Sequence, residues 1–470
     1  MHGPFPHGAK PAASKLDATR GLAGLRRLTM LTLNLIVGVA VVSGSLGGVS
    51  SAHNGPEATT AYSTKCQESA QITRDDIPVL RSRAESGDDE ARCVLGFAYH
   101  QGSFVQKDDV EASKWLLKAA QAGLAMAQVE LGNLYRSGSG VPQDDAEAVR
   151  WYERSAQKGL ATAENNLAHM YAEGKGGLTR NVEVAAGWFR KAAEQGLPTA
   201  QTNLGLMLRQ GMGLAKDYAE ALQWFRRAAS QGDGDAETAM GLMYMRGEGV
   251  AVDYTQAIAF FQAGAQHGSP SAESCLGYMY TNGLGAPRDY AAGLKWTQSA
   301  AEKGIAAAQY NLGYILAEGL GTAPNLLGAF KWYRAAAVSG IPDAQNSVGY
   351  LLAVGEGIPH DYVEAAQWYR RAALQGHTTA QVNLGAVYAI GQGVPLDYVE
   401  AYMWFSVAVA AGNQTARRGL QYLHGLMTPK QLQAAQTRAA SWRAKPGVQV
   451  GSVSSLQGRS ASVYDLTGPQ

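Results

Sequence analysis

Small and apolar residues recur along this chain in one fixed order. Asn203 to Gly232 reads NLGLMLRQGMGLAKDYAEALQWFRRAASQG, and Asn311 to Gly340 reads NLGYILAEGLGTAPNLLGAFKWYRAAAVSG. In the first half of such a unit, Ala200, Leu204, Gly205 and Leu208 fall on one helical face. In the second half, Ala221, Trp224, Ala228 and Ala229 do the same. The pattern predicts a pair of short helices, A and B. Their small residues allow close packing, and the Trp fills the space that remains.

The unit repeats. The Gly of Leu-Gly falls at Gly96, Gly132, Gly205, Gly241, Gly277, Gly313, Gly349 and Gly385, with Ala168 in the third copy. The spacing is 36 residues, with a single 37. Nine copies at a fixed period predict an all-α, α/α solenoid of helix-turn-helix repeats. A G-x-G turn such as Gly211 and Gly213 ends helix A, because Gly takes the left-handed conformation without a Cβ clash. Phe104 replaces the second Gly in the first copy. Helix B opens at Asp108, Asp144, Asn181, Asp217, Asp253, Asp289, Asn325, Asp361 and Asp397. Glu111, Glu147, Glu220, Glu364 and Glu400 follow three residues later, which is capping-box spacing. Recurrent acids of this kind are helix caps rather than a catalytic pair, since a reaction does not need nine copies of its acid.

A-x-x-x-L-G-x-x-Y-x-x-G-x-G, then D-x-x-E-A-x-x-W and A-A-x-x-G, resembles the Sel-one-like repeat family, a relative of the tetratricopeptide repeat. The resemblance covers residues 76–412. Ala168, Phe260 and Gly293 depart from the pattern where the family has Gly, Trp and Ala. It implies a non-catalytic protein–protein adaptor that binds an extended segment on a concave face lined by helix A. By resemblance, the inward positions lie near the Leu-Gly glycine. Two before it are Asn166, Asn203, Asn311 and Asn383, whose amides suit a peptide backbone. One after it are Leu206, Tyr278, Tyr314 and Tyr350, the tyrosines forming a ladder that favours an interface. The other reading of that column is packing between neighbouring helices. An array on the order of 80 Å long, from helices spaced about 8–10 Å apart, suits a protein or peptide more than a metabolite. A cell-envelope polysaccharide stacking on the tyrosines is the alternative partner.

Outside the repeats the pattern changes. Lys10, Lys15, Arg20, Arg26 and Arg27 precede an uncharged run from Leu28 to Ala52. Residues 1–52 therefore read as a signal peptide or an uncleaved membrane anchor, with the repeats exported to the periplasm or cell exterior. Residues 53–75 read as a linker and N-terminal cap, and Asp76 to Ser86 as a lone helix B. Residues 413–445 read as a C-terminal capping helix starting near Thr428, and 446–470 as a disordered tail.

Composition adds exclusions. Lys plus Arg number 40 against 39 Asp plus Glu, a balance with no field to attract nucleic acid. No histidine pair, C-x-x-C, P-loop or G-x-S-x-G occurs, so no catalytic, cofactor or metal residues are assigned. Some cysteine-rich relatives of the resembled family have been linked to β-lactam hydrolysis, but their paired-cysteine pattern is absent here. With three cysteines, Cys66 and Cys93 form either a disulfide or two buried thiols, and Cys275 is a free buried thiol.

Overall fold

A computed structural model describes Cys66 and residues 73–355 and 357–443. The readings of residues 1–52 and 446–470 lie outside these, as does nearly all of 53–75. The described residues form 21 helices and no strand. They fall into two compact units. The N-terminal unit holds α1 (Asp76–Glu85), α2 (Asp89–Gln101), α3 (Asp109–Gln121), α4 (Ala125–Ser137), α5 (Asp145–Ala156) and α6 (Ala161–Glu173). It continues with α7 (Val182–Glu194), α8 (Pro198–Gln210), α9 (Tyr218–Ala229), α10 (Gly234–Arg246), α11 (Tyr254–Gln266) and α12 (Pro270–Asn282). The C-terminal unit holds α13 (Tyr290–Glu302), α14 (Ala306–Glu318), α15 (Leu326–Val338), α16 (Pro342–Val354) and α17 (Tyr362–Leu374). It ends with α18 (Thr378–Ile390), α19 (Tyr398–Ala410), α20 (Gln414–His424) and α21 (Pro429–Ser441). After the lone α1, even-numbered helices up to α18 are A and odd-numbered ones up to α19 are B.

In six of the repeats the ring that closes the A–B pair is the residue after the Trp position, and in the first repeat Leu116 takes that place. A Cβ added to Gly205 would lie 2.6 Å from the Phe225 ring, and one on Gly241 would lie 2.6 Å from Phe261. Tyr152 covers Gly132, Tyr333 covers Gly313, Tyr369 covers Gly349 and Phe405 covers Gly385 in the same way. This corrects the expectation that the Trp is the knob. Successive helical residues point about 100° apart, so only one of the two can face helix A squarely. The Trp lies beside it, at the edge.

Burial of that Trp follows a second residue. Trp115, Trp151, Trp224, Trp368 and Trp404 are buried, and each has Glu four residues earlier. Trp188, Trp296 and Trp332 have Val184, Ala292 and Gly328 there and stay partly exposed. The helix B pattern implies the same packing for Trp296 as for Trp151, Trp224 and Trp368, and the structure leaves it partly exposed. A buried indole N–H favours an acceptor, and Trp115, Trp224 and Trp368 donate to Glu111, Glu220 and Glu364 at 3.0, 3.1 and 3.0 Å. The buried Trp151 N–H has no partner among the described residues, its Glu147 being paired with Arg150. A basic side chain three residues on covers the ring, as Arg227 covers Trp224 at 4.5 Å.

That use of Glu leaves the capping box unformed in helix B. Asp217 accepts the Glu220 N–H at 2.9 Å, as a cap should. Its own backbone N–H already donates to Leu208 O of helix A at 3.0 Å, so nothing is left for a Glu side chain to satisfy. Asp397 repeats the arrangement on Tyr388 O at 3.1 Å. The full box occurs at Thr428 and Gln431, which open α21. Asp217→Ala should therefore cost about 0.5–2 kcal/mol and Asp217→Asn almost nothing. Thermal unfolding checks this, and lost function in a stable Asp217→Asn protein would contradict the capping role.

The ends are modified repeats. Residues 413–445 hold two helices rather than one. A Cβ on Gly419 of α20 would lie 2.6 Å from the Phe405 ring. So α20 packs as another helix A, and α21 closes the unit. At the other end Cys66 and Cys93 are joined by a disulfide, their Cα atoms 5.7 Å apart. Cys275 is a free, buried thiol.

Candidate partner-binding face

Helix A presents two kinds of polar side chain beside its Leu-Gly glycine. The first lies four residues before it and holds neighbouring repeats together. Gln128, Gln201, Gln345 and Gln381 donate to carbonyls of the preceding helix B, at Ala120, Ala193, Ala337 and Ala373 (3.0–3.2 Å). Each of these carbonyls, near the end of its helix, also accepts the N–H of the closing glycine, Gly123, Gly196, Gly340 or Gly376.

The asparagines two before the glycine also bond between repeats. Asn166 donates to Asn133 at 3.2 Å, Asn203 to Asn165 at 3.2 Å and Asn383 to Asn346 at 2.9 Å. Asn311 is 1% exposed. Amides expected to face a partner's backbone are thus occupied within the protein. Their role here is to fix the register of one repeat on the next.

The column one after the glycine divides. Leu206 and Tyr278 are buried, in the N-terminal unit. Tyr314 and Tyr350, in the C-terminal unit, rest against the core but stay partly exposed. Burial, with Glu318 and Tyr290 nearby, raises the pKa of the Tyr314 phenol, so it remains a neutral hydrogen-bonding group at neutral pH.

His169 occupies this column in the third repeat. Its Nε2 lies 3.2 Å from the Asn203 amide nitrogen, and its ring meets Phe189 edge-on with centroids 4.9 Å apart. Burial, aided by the charge of Arg136, pushes its pKa down to about 4. The neutral ring accepts the amide proton. Because the folded pKa lies below the unfolded value, this site favours folding less as pH falls from about 6.5 toward 4. His169→Gln should flatten the stability loss over that window, as read by urea unfolding at stepped pH.

A mixed cluster lies between repeats one and two. His100 Nδ1 is 2.7 Å from Asp109 and its Nε2 is 3.5 Å from Glu130. Burial raises the Glu130 pKa, opposed by the nearby His100. Among the described residues no group of three or more His, Cys, Asp or Glu is placed to hold a metal ion. None of their helices is long and apolar enough to cross a membrane.

Comparison with known families matches the Sel1 repeat nine times. The matched residues are 89–124, 125–160, 161–197, 198–233, 234–269, 270–305, 306–340, 342–377 and 378–413. Among solved structures, the chain is similar to a protective antigen of uropathogenic Escherichia coli strains that displays an SLR fold. Identity is 31% over 83% of this chain and 95% of that one, with a TM-score of 0.46. It is also similar to a Sel1 repeat protein from Oxalobacter formigenes, at 32% identity over 52% and 96% of the two chains, with a TM-score of 0.48. An immunity protein from Pseudomonas aeruginosa matches at 23% identity over 45% and 82%, with a TM-score of 0.33. A search of curated proteins finds no match. Sel1 repeat proteins are typically protein-interaction scaffolds and generally non-catalytic. With nine matches that run from residue 89 to residue 413, this chain belongs to the Sel1 repeat family.

Proposed function

We propose that this chain is a non-catalytic adaptor outside the cytoplasm, binding an extended segment of a partner protein along the face that helix A carries. The observation that carries this reading is the state of Tyr314 and Tyr350. Each rests on the core and is partly exposed. Aromatic rings held this way suit an interface, because little rotamer entropy remains to be lost on binding. The recurrent acids compete poorly as a functional site, since caps and indoles already use them.

The double change Tyr314→Ala and Tyr350→Ala should weaken partner affinity at least about tenfold, as for interface hot spots. Val363→Ala, an exposed side chain on helix B, should leave affinity unchanged. Equal effects at the two places would remove the helix A face from binding. Binding that survives protease treatment of the partner but not glycan digestion would point to an envelope polysaccharide instead.

Export rests on the basic-then-apolar N-terminus and on the Cys66–Cys93 disulfide, since structural disulfides persist in oxidising compartments. Protein isolated from its native host and denatured without reductant should show one free thiol, that of Cys275. Three free thiols would contradict the export reading.

A further inference from the structure

Two arginines of neighbouring helices A share one carboxylate. Arg209 lies four residues after Gly205 in α8, and Arg246 lies five after Gly241 in α10. Between the two glycines of the next turn stands Glu248. Arg209 Nε donates to Glu248 Oε2 at 2.6 Å, and Arg246 Nη1 lies 3.7 Å from Glu248 Oε1. The Arg209 side chain is only 5% exposed, and its Nη1 is buried with no hydrogen-bond partner among the described residues. The Arg246 side chain is 31% exposed, so the cluster reaches solvent through it. Cys275 lies near Arg246 and adds no negative charge, because burial pushes its thiol up to about 12. Burial, and then the charge of Arg209, lower the basicity of Arg246. Two guanidiniums against one carboxylate leave an excess positive charge, and it falls on the partly exposed Arg246, which Glu248 holds only at 3.7 Å.

We propose that repeats four and five hold an anion subsite, in which Arg246, with the charge of the buried Arg209 behind it, takes a carboxylate from the partner segment. It rests on the reading that the partner lies along the helix A face, and it names what that partner must present there. Glu248 is the resident anion and fixes the Arg209 fork. A carboxylate fits, because guanidinium presents parallel N–H donors to two oxygens. Its source is either an acidic side chain or a free carboxyl terminus.

Acetate is the probe. Titrate the full-length protein with ¹³C-labelled acetate at constant ionic strength, with acetamide as the neutral control. The wild-type protein should bind acetate saturably and ignore acetamide. Arg246→Gln should weaken acetate at least about tenfold, the effect of losing a charge-assisted hydrogen bond. Its melting temperature should stay close to that of the wild type, which separates a lost ligand contact from a lost fold. Arg246→Lys, which keeps the charge but not the fork, should fall between. Non-saturable acetate signals, or equal affinity in Arg246→Gln, would overturn the subsite. The source of the carboxylate is read with two glycine peptides, one with a free carboxyl terminus and one amidated with a single internal Glu. Saturable competition by either supports the subsite and identifies its source, whereas failure of both to displace bound acetate overturns a partner-derived carboxylate. If acetate fails while Tyr314→Ala with Tyr350→Ala still weakens the partner, only the subsite falls. If both tests fail, the helix A face itself is wrong.

Discussion

Phe225→Ala is expected to cost the protein about 3–5 kcal/mol, a large-to-small change at a fully buried position. Phe225 lies over Gly205, where a Cβ would come within 2.6 Å of its ring. No side chain on helix A can swing in to fill the space, because the facing residue has none. The cavity therefore persists, and cavity volume adds to the lost transfer free energy. Trp188→Ala should cost clearly less, since Trp188 is partly exposed and has no Glu four residues earlier. Urea unfolding of the two variants side by side gives the comparison. A loss below about 1 kcal/mol at Phe225 would take the ring out of the packing seam.

Gly213→Ala is expected to cost about 2–5 kcal/mol, from two causes that act together. The residue sits at φ +66°, where an L side chain is strained by about 1–2 kcal/mol. A Cβ there would also lie 2.4 Å from Val182 O, in the first turn of the preceding helix B. Backbone in that turn cannot move aside cheaply, and overpacking adds about 1–3 kcal/mol. Gly196→Ala separates the causes. It has φ +93° but no atom within 4 Å of an added Cβ, so only the backbone cost of about 1–2 kcal/mol applies. Phe104 shows that the conformation alone is tolerated. It holds the second turn position of the first repeat at φ 63° with its side chain exposed. Equal losses for Gly213→Ala and Gly196→Ala would mean that close approach between repeats contributes nothing.

These two cases show what could be read from the amino-acid order alone. The period, the positive-φ glycines and the Asp caps are local signals, and each recurs often enough to outweigh its exceptions. The choice between Trp224 and Phe225 was not legible, because both are large, apolar and adjacent. Which of them meets Gly205 depends on the rotation of one helix against another. The Glu of the cap motif misled for a similar reason. Glu220 is three residues from Asp217 and four from Trp224, so one spacing serves two partners. Only the three-dimensional arrangement shows that Leu208 O already holds the Asp217 N–H.

The candidate site was legible in part. A sequence marks Asn203 as an amide on the correct column but cannot say that Asn165, 38 residues away, has taken it. The glutamines of the same face carried a readable signal, since they recur four residues before the glycine. Helix α20 also left a trace in Ala416, Gly419, Leu420 and Leu423, which share one helical face. A break in the 36-residue spacing hid it.

The claim that helix A carries the partner is tested most directly by site-specific photo-crosslinking in the native host. A benzophenone amino acid replaces Tyr350 on helix A in one strain and Val363 on helix B in another. Val363 is 56% exposed, so the control position is at least as open to collision. The account predicts a discrete protein adduct from position 350 and none from position 363. An adduct from position 363 with none from position 350 would contradict it.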